Sequence, residues 1–256
     1  VTESLGDLYA MHWPYKQHKS SRNIKLLPFH DDLKIKGACF GQVAGFERPM
    51  WYALNGKKPE YEYSYGYQNW YDAAKYETIN TRKNVGLFDL SAFAKFEIKG
   101  VSAYSDLQRL CCNDIKNNPG HTTYTQMLNS NGGIVADLTV TCIDKDSFRI
   151  VTGSSVREHD KKHISENLSK NTTLIDITES LACFGVFGPK SREILTEIFG
   201  EHFSKDNFKF GTAKEISMNN DKLIFQRLSF VGELGWEIYV PIKVSREIYL
   251  KLVKVG

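Results

Sequence analysis

Long apolar runs are missing from this sequence, and so are the glycine-rich signatures of nucleotide pockets. No stretch approaches the ~20 apolar residues of a membrane-spanning helix, and the opening VTESLGDLYAMHW lacks a charged-then-apolar export pattern. Neither GxGxxG nor GxxxxGKS occurs, so no dinucleotide or P-loop cradle is encoded here. Cysteine is sparse. Cys39, Cys111, Cys112, Cys142 and Cys183 are odd in number and without CxxC spacing. The adjacent pair could bridge only with strain, which argues against a disulfide framework or structural zinc and suits a reducing compartment. A soluble protein of the cytoplasm is expected, or of the mitochondrial matrix if the source is eukaryotic. No block of lysine and arginine stands out either; 33 basic against 30 acidic residues leave +3, a balance that suits a small anionic ligand better than nucleic acid. His12, His18 and His30 have no metal-like mutual spacing and read as surface or packing residues.

The chain does hold enough apolar material for a large core: 41% of its 256 residues are hydrophobic and 12% aromatic. Residues 1–55 have little sustained periodicity and are dense in proline, glycine, histidine and aromatics, which reads as an extended segment ordered by packing on another surface. Residues 56–256 form the second unit. It opens on a run rich in tyrosine and tryptophan between Tyr61 and Tyr71, then a helix that ends near Asn84. Alternation marks strands around Leu87, Phe96, Tyr124, Leu138, Ile150, Ile175 and Phe184, and again over 213–217, 223–229 and 236–240. Helices are expected after Ser102, capped by that serine, after Ser154–Ser155, after Gly188–Pro189 with Gly200 as the stop, and from Val244. Two successive strand-strand-helix groups predict an α+β fold with pseudo-duplicated units.

Chemistry is densest between Cys111 and Leu138. A helix end runs into Asn113–Asp114, and a hairpin follows with the loop Asn129–Gly133 at its tip and Asp137 on its second strand. Asp114 is a candidate general base if burial lifts its pKa; it could equally just end a helix. Tyr124 and Asn129 flank the hairpin and could line a pocket wall. The stretch SFVGELGWE at 229–237 sets Glu233 between two glycines, where a carboxylate could accept paired N–H bonds from an amidine-like edge, or simply turn a hairpin. Ser91, Ser154 and Ser155 lack any GxSxG setting, and Cys111 and Cys112 read as packing residues.

The blocks VGLFDLSAFAKFEIKG, LQRLCCNDIKNNPGHTTYTQMLNSNGGIVADLTVT, FGVFGPKSREIL, FGTAKEI and SFVGELGWEIYVP resemble, in that order, the folate-binding domain of the glycine-cleavage T-protein superfamily. ESLGDLYAMHWPY, GACFGQVAGFERPMWY and SYGYQNWYD are similar to the central segment of its flavin-dependent sarcosine and dimethylglycine dehydrogenase branch. The resemblance implies an aminomethyltransferase-like domain that uses tetrahydrofolate. FAD would belong only to an amino-terminal flavin domain of the same parent chain, absent here along with the carboxy-terminal barrel. It implies Asp114 as the catalytic carboxylate, Glu233 as the group that holds the pterin, and Tyr124 and Asn129 as pocket-lining residues. Phe230 stands where members often carry a tyrosine. The expected reaction passes the carbon of a demethylated N-methyl amine to tetrahydrofolate, giving 5,10-methylenetetrahydrofolate. A stand-alone aminomethyltransferase and a non-catalytic regulatory protein of the same architecture are the alternatives. The central expectation is that Asp114 and Glu233 converge on one cavity.

Overall fold

The computed structural model of the protein describes residues 2–256. Its frame is a pair of five-stranded antiparallel sheets, each built from strands whose side chains alternate between an apolar and a more polar face. The first sheet contains β3 (Gly86–Asp89), β9 (Leu181–Phe187), β10 (Ala213–Met218), β11 (Asp221–Gln226) and β12 (Gly235–Pro241), in the order β10-β11-β12-β9-β3. The second contains β4 (Ala94–Lys99), β5 (Thr122–Leu128), β6 (Ile134–Asp144), β7 (Ser147–Thr152) and β8 (Thr173–Asp176), in the order β5-β6-β7-β4-β8.

Each sheet buries its apolar face under helices. Phe184, Val186, Phe225, Trp236 and Ile238 pack with Leu195 of α6 (Ser191–Phe199) and with Ile248 and Leu252 of α7 (Ser245–Val255). On the other side Phe96, Ile98, Leu138, Phe148 and Ile150 pack with Leu107 of α4 (Ala103–Leu110) and Ile164 of α5 (Arg157–Glu166). Burial of this kind is worth roughly 25 cal/mol per Å² of apolar surface and dominates the fold's stability.

The sheets then meet through their more polar faces. Val151 touches Cys183 and Tyr239 in one small cluster. The Thr141 hydroxyl donates to Gln226 Oε1 at 3.0 Å, and the Arg149 guanidinium lies 5.5 Å from the Tyr239 ring centroid. Lys95 is fully buried in this layer, its ammonium donating to the Ser91 and Phe93 carbonyls at 2.8 Å each. Desolvation lowers its pKa from 10.5 to about 8. Between those two values the unfolded chain binds more protons than the folded one, so stability through Lys95 rises with pH across about 8 to 10.5. The penalty is full below that window and gone above it. Lys95→Met is expected to remove this rise, worth about 3 kcal/mol in all, as checked by urea unfolding of both proteins between pH 7 and 11.

The amino-terminal segment corrects the expectation of a plain strap. It folds into α1 (Thr2–Asp7), α2 (His30–Ile35) and the hairpin β1 (Ala38–Val43) with β2 (Phe46–Tyr52). Pro49 opposes Phe40 beside a register shift, and that bulge hides the strand alternation. Leu27, Phe29, Leu33 and Phe46 join the core of the first sheet, whereas Tyr15 stays exposed. α3 (Tyr71–Lys83) ends at Asn84 as its pattern predicts. Two other expectations are corrected. Ser102 precedes α4 without a side-chain capping bond, and β11 stops at Gln226, leaving 227–234 as a loop.

Candidate functional site

The end of α4 is tied to the edge strand β5 by a short ladder. Cys111 bridges Met127, and the Cys112 N–H donates to the Gln126 carbonyl at 2.9 Å. Asn113 continues the attachment: its N–H donates to Thr125 Oγ1 at 3.1 Å and its amide to the Tyr124 carbonyl at 3.0 Å. Its own Oδ1 accepts the Asp114 N–H at 2.9 Å. One residue beyond Asp114, Ile115 is buried in the core. The Asp114 backbone is therefore pinned from both sides while its carboxylate reaches outward.

That carboxylate is not lifted by burial, contrary to the expectation for a buried base. Its side chain is 58% exposed and ion-paired with Lys116. Gln108 Nε2 approaches Oδ1 at 3.3 Å. The ammonium of Lys116, foremost, holds the carboxyl below the usual carboxylate range, so it is ionised at neutral pH.

Tyr124 stands beside it on the exposed face of β5. The neighbouring Asp137 carboxylate pushes its phenol up, and Gln126 Nε2 donates to Asp137 Oδ1 at 3.0 Å. Tyr124, Gln126 and Asp137 thus lie along the middle of the β5–β6 hairpin, where Asn113 attaches the Asp114 loop. Asn129, at the tip, uses its Oδ1 locally, accepting the N–H groups of Asn131 and Gly133 at 2.9 Å each. The turn alone accounts for that oxygen.

Glu233 and Phe230 lie on the 227–234 loop of the other sheet. Glu233 is paired with Arg82 of α3 at 2.7 Å and is 20% exposed, while its N–H donates to Ser229 Oγ at 3.1 Å. Phe230 is 97% exposed. Among the described residues no hydrogen bond or ion pair joins Asp114, Tyr124 or Asn129 to Glu233 or Phe230. A cavity of about 410 Å³ is lined by Phe29, Tyr52, Asp89, Tyr249 and their neighbours, and one of about 260 Å³ by residues including Lys25, Phe46 and Glu179. None of the five candidates lines either.

A second acidic group escaped the sequence reading. Glu237 sits in register between Gln226 and Gly185 and points into the layer between the sheets. The Tyr239 hydroxyl donates to its Oε2 at 2.5 Å, and burial pushes its carboxyl up. Close by, Gln226 Nε2 and two guanidinium nitrogens of Arg149 are buried without a partner. The period of two could have found it: Trp236, Ile238 and Val240 face the helices, so 237 and 239 face inward. All five cysteines are free thiols, and only Cys112 is exposed. Among the described residues no cluster of three metal-ligating side chains occurs, and no helix is long and apolar enough to cross a membrane.

Comparison with known proteins adds the following. Residues 29–256 match the model of the GCVT N-terminal domain. The chain is 40% identical over 238 residues to 4-methylaminobutanoate oxidase (formaldehyde-forming) of Paenarthrobacter nicotinovorans, covering 93% of this chain and 29% of that protein. It is 30% identical over 294 residues to human mitochondrial sarcosine dehydrogenase, covering 99% and 32%. The chain therefore spans less than a third of the length of these relatives. Its fold matches the crystal structure of the glycine cleavage system aminomethyltransferase T from Bartonella henselae, with a TM-score of 0.74 and 23% identity over 90% of this chain and 57% of that one. The α+β architecture expected from the strand and helix pattern is the one found.

Proposed function

The chain belongs to the GCVT N-terminal domain family, an aminomethyltransferase-type domain related to sarcosine and dimethylglycine dehydrogenases, and on that premise we propose that it carries out tetrahydrofolate-dependent one-carbon transfer. In this reading it is part of an enzyme that demethylates an N-methyl amine, and its product is 5,10-methylenetetrahydrofolate. The amine would be oxidised at an FAD held by a flavin domain of the same parent chain, outside these residues. A stand-alone aminomethyltransferase is the lesser reading, since it rests on fold likeness at 23% identity against 40% and 30% for the two demethylating relatives.

The observation that carries the proposal is the Asp114 carboxylate: ionised, solvent-facing, and fixed on a loop locked by Asn113 and Ile115. Tetrahydrofolate supplies two nucleophilic nitrogens to take up the carbon, one in the reduced pterin ring and one in the bridge to the aminobenzoyl group. Asp114 would accept a proton from one of them, and the entry of a ring would displace Lys116 and desolvate the carboxylate, raising its basicity. Tyr124 and Asn129 would line the entrance.

Glu233 would hold the amidine-like edge of the pterin, once Arg82 yields its place. Glu237 is a second candidate for that role, favoured by its half-buried place between the sheets and by the unpartnered Gln226 amide nitrogen on the residue opposite it. Calorimetry with tetrahydrofolate on the full-length protein separates the two. Glu233→Gln is expected to weaken binding about tenfold, equivalent to roughly 1.4 kcal/mol. A loss with Glu237→Gln and none with Glu233→Gln would move the role to Glu237. Absence of any binding heat with the unaltered full-length protein would overturn the proposal in favour of a scaffold.

A further inference from the structure

Gln108 occupies the last turn of α4 and spans the gap to the Asp114 loop with both ends of its amide. The Ile115 N–H donates to Oε1 at 2.9 Å, and Nε2 donates to Asp114 Oδ1 at 3.3 Å. The first bond settles the orientation of the amide, because only its oxygen can accept an N–H. Ile115 is 1% exposed, so that arm is anchored to the core, and the opposite arm is left facing the carboxylate.

The other carboxylate oxygen has a different neighbour. Lys116 pairs with Oδ2, but its side chain is half exposed and sits on four rotatable bonds, so it can leave without disturbing the fold. One oxygen is held by an amide anchored at its other end on the Ile115 N–H, and the other by a removable cation. We propose that Gln108 is a positioning residue for Asp114: it fixes Oδ1 and thereby turns Oδ2 toward the ligand that displaces Lys116. The inference rests on the reading that Asp114 acts on that ligand. Geometry within a fraction of an ångström matters for a single proton-transferring group, and a bidentate amide restricts both the loop and the carboxylate rotor.

Two variants of the full-length enzyme separate the arms. Gln108→Glu keeps an acceptor for the Ile115 N–H and loses the donor to Asp114, whereas Gln108→Leu loses both without adding charge. The acid limb of the pH profile for methylene-folate formation is expected to move up in both, because a donor to the carboxylate is lost. The turnover rate should fall about tenfold, with KM for tetrahydrofolate within about threefold. Amide exchange of the 113–116 segment should speed up in Gln108→Leu but not in Gln108→Glu. If neither variant moves the acid limb or the turnover rate, Gln108 does not position Asp114. Asp114→Asn keeps the two claims apart: a full rate in that variant removes the parent reading whatever Gln108 does. A crippled Asp114→Asn beside unaltered Gln108 variants removes only this inference.

Discussion

Asp114→Asn is expected to lower methylene-folate formation by about 10²-fold in the full-length enzyme while leaving tetrahydrofolate affinity within about tenfold. Asparagine preserves the shape of the side chain and an oxygen for Gln108 Nε2, so the loop tied by Asn113 and Ile115 should stay in place. What disappears is the charge and the ability to take a proton. Because Lys116 holds the carboxyl of the free protein below the ordinary range, kcat/KM should persist well into mildly acidic solution, whereas the rate of the bound complex, from which Lys116 has been displaced, should fall at a higher pH. Single-turnover formation of product, followed across pH, measures both effects. An unchanged rate would remove Asp114 from the chemistry.

Gly188→Ala is expected to destabilise the domain by about 4 kcal/mol. Gly188 has φ +135°, and a Cβ there would lie 2.4 Å from the Asn84 carbonyl oxygen, 2.7 Å from that of Thr81 and 2.7 Å from Val85 Cα. All three are backbone atoms at the junction of α3 and β3, so no side chain can swing aside. The Gly188 N–H also donates to the Leu234 carbonyl at 2.8 Å, which couples the position to the loop carrying Glu233. Urea unfolding checks the loss of stability, and the Arg82–Glu233 pair should be disturbed with it. Gly132 serves as the control: its φ is also positive, at +78°, but a Cβ there meets nothing within 4 Å.

Much of the frame was legible because each strand buries one face. Phe96 and Ile98, Phe148 and Ile150, or Ile238 and Val240 repeat every second residue, and the helices between them carry inward residues such as Leu107, Ile164 and Leu195. The amino-terminal hairpin was not legible, since the bulge at Cys39–Phe40 and Pro49 break that repeat. Leu228 misled at the end of β11, where it extends the strand pattern into a loop that leaves Phe230 in solvent. The electrostatics of the site lay further out of reach. Nothing in the spacing says that Lys116 swings back onto Asp114, or that Arg82, some 150 residues earlier in the chain, meets Glu233. Glu237 was hidden among apolar neighbours, although strand parity alone points it inward.

The five thiols are sharply unequal. Desolvation pushes Cys39 up to about 11 and Cys111 up to about 12, and raises Cys142 and Cys183 as well, so these four stay protonated and largely shielded. Cys112 alone meets solvent, two residues before Asp114 and hydrogen-bonded through its backbone to the edge of β5. A maleimide dye therefore has one natural attachment point, and it lies beside the loop whose occupancy matters. The chain carries its own place for a fluorescent reporter, with no engineered residue required.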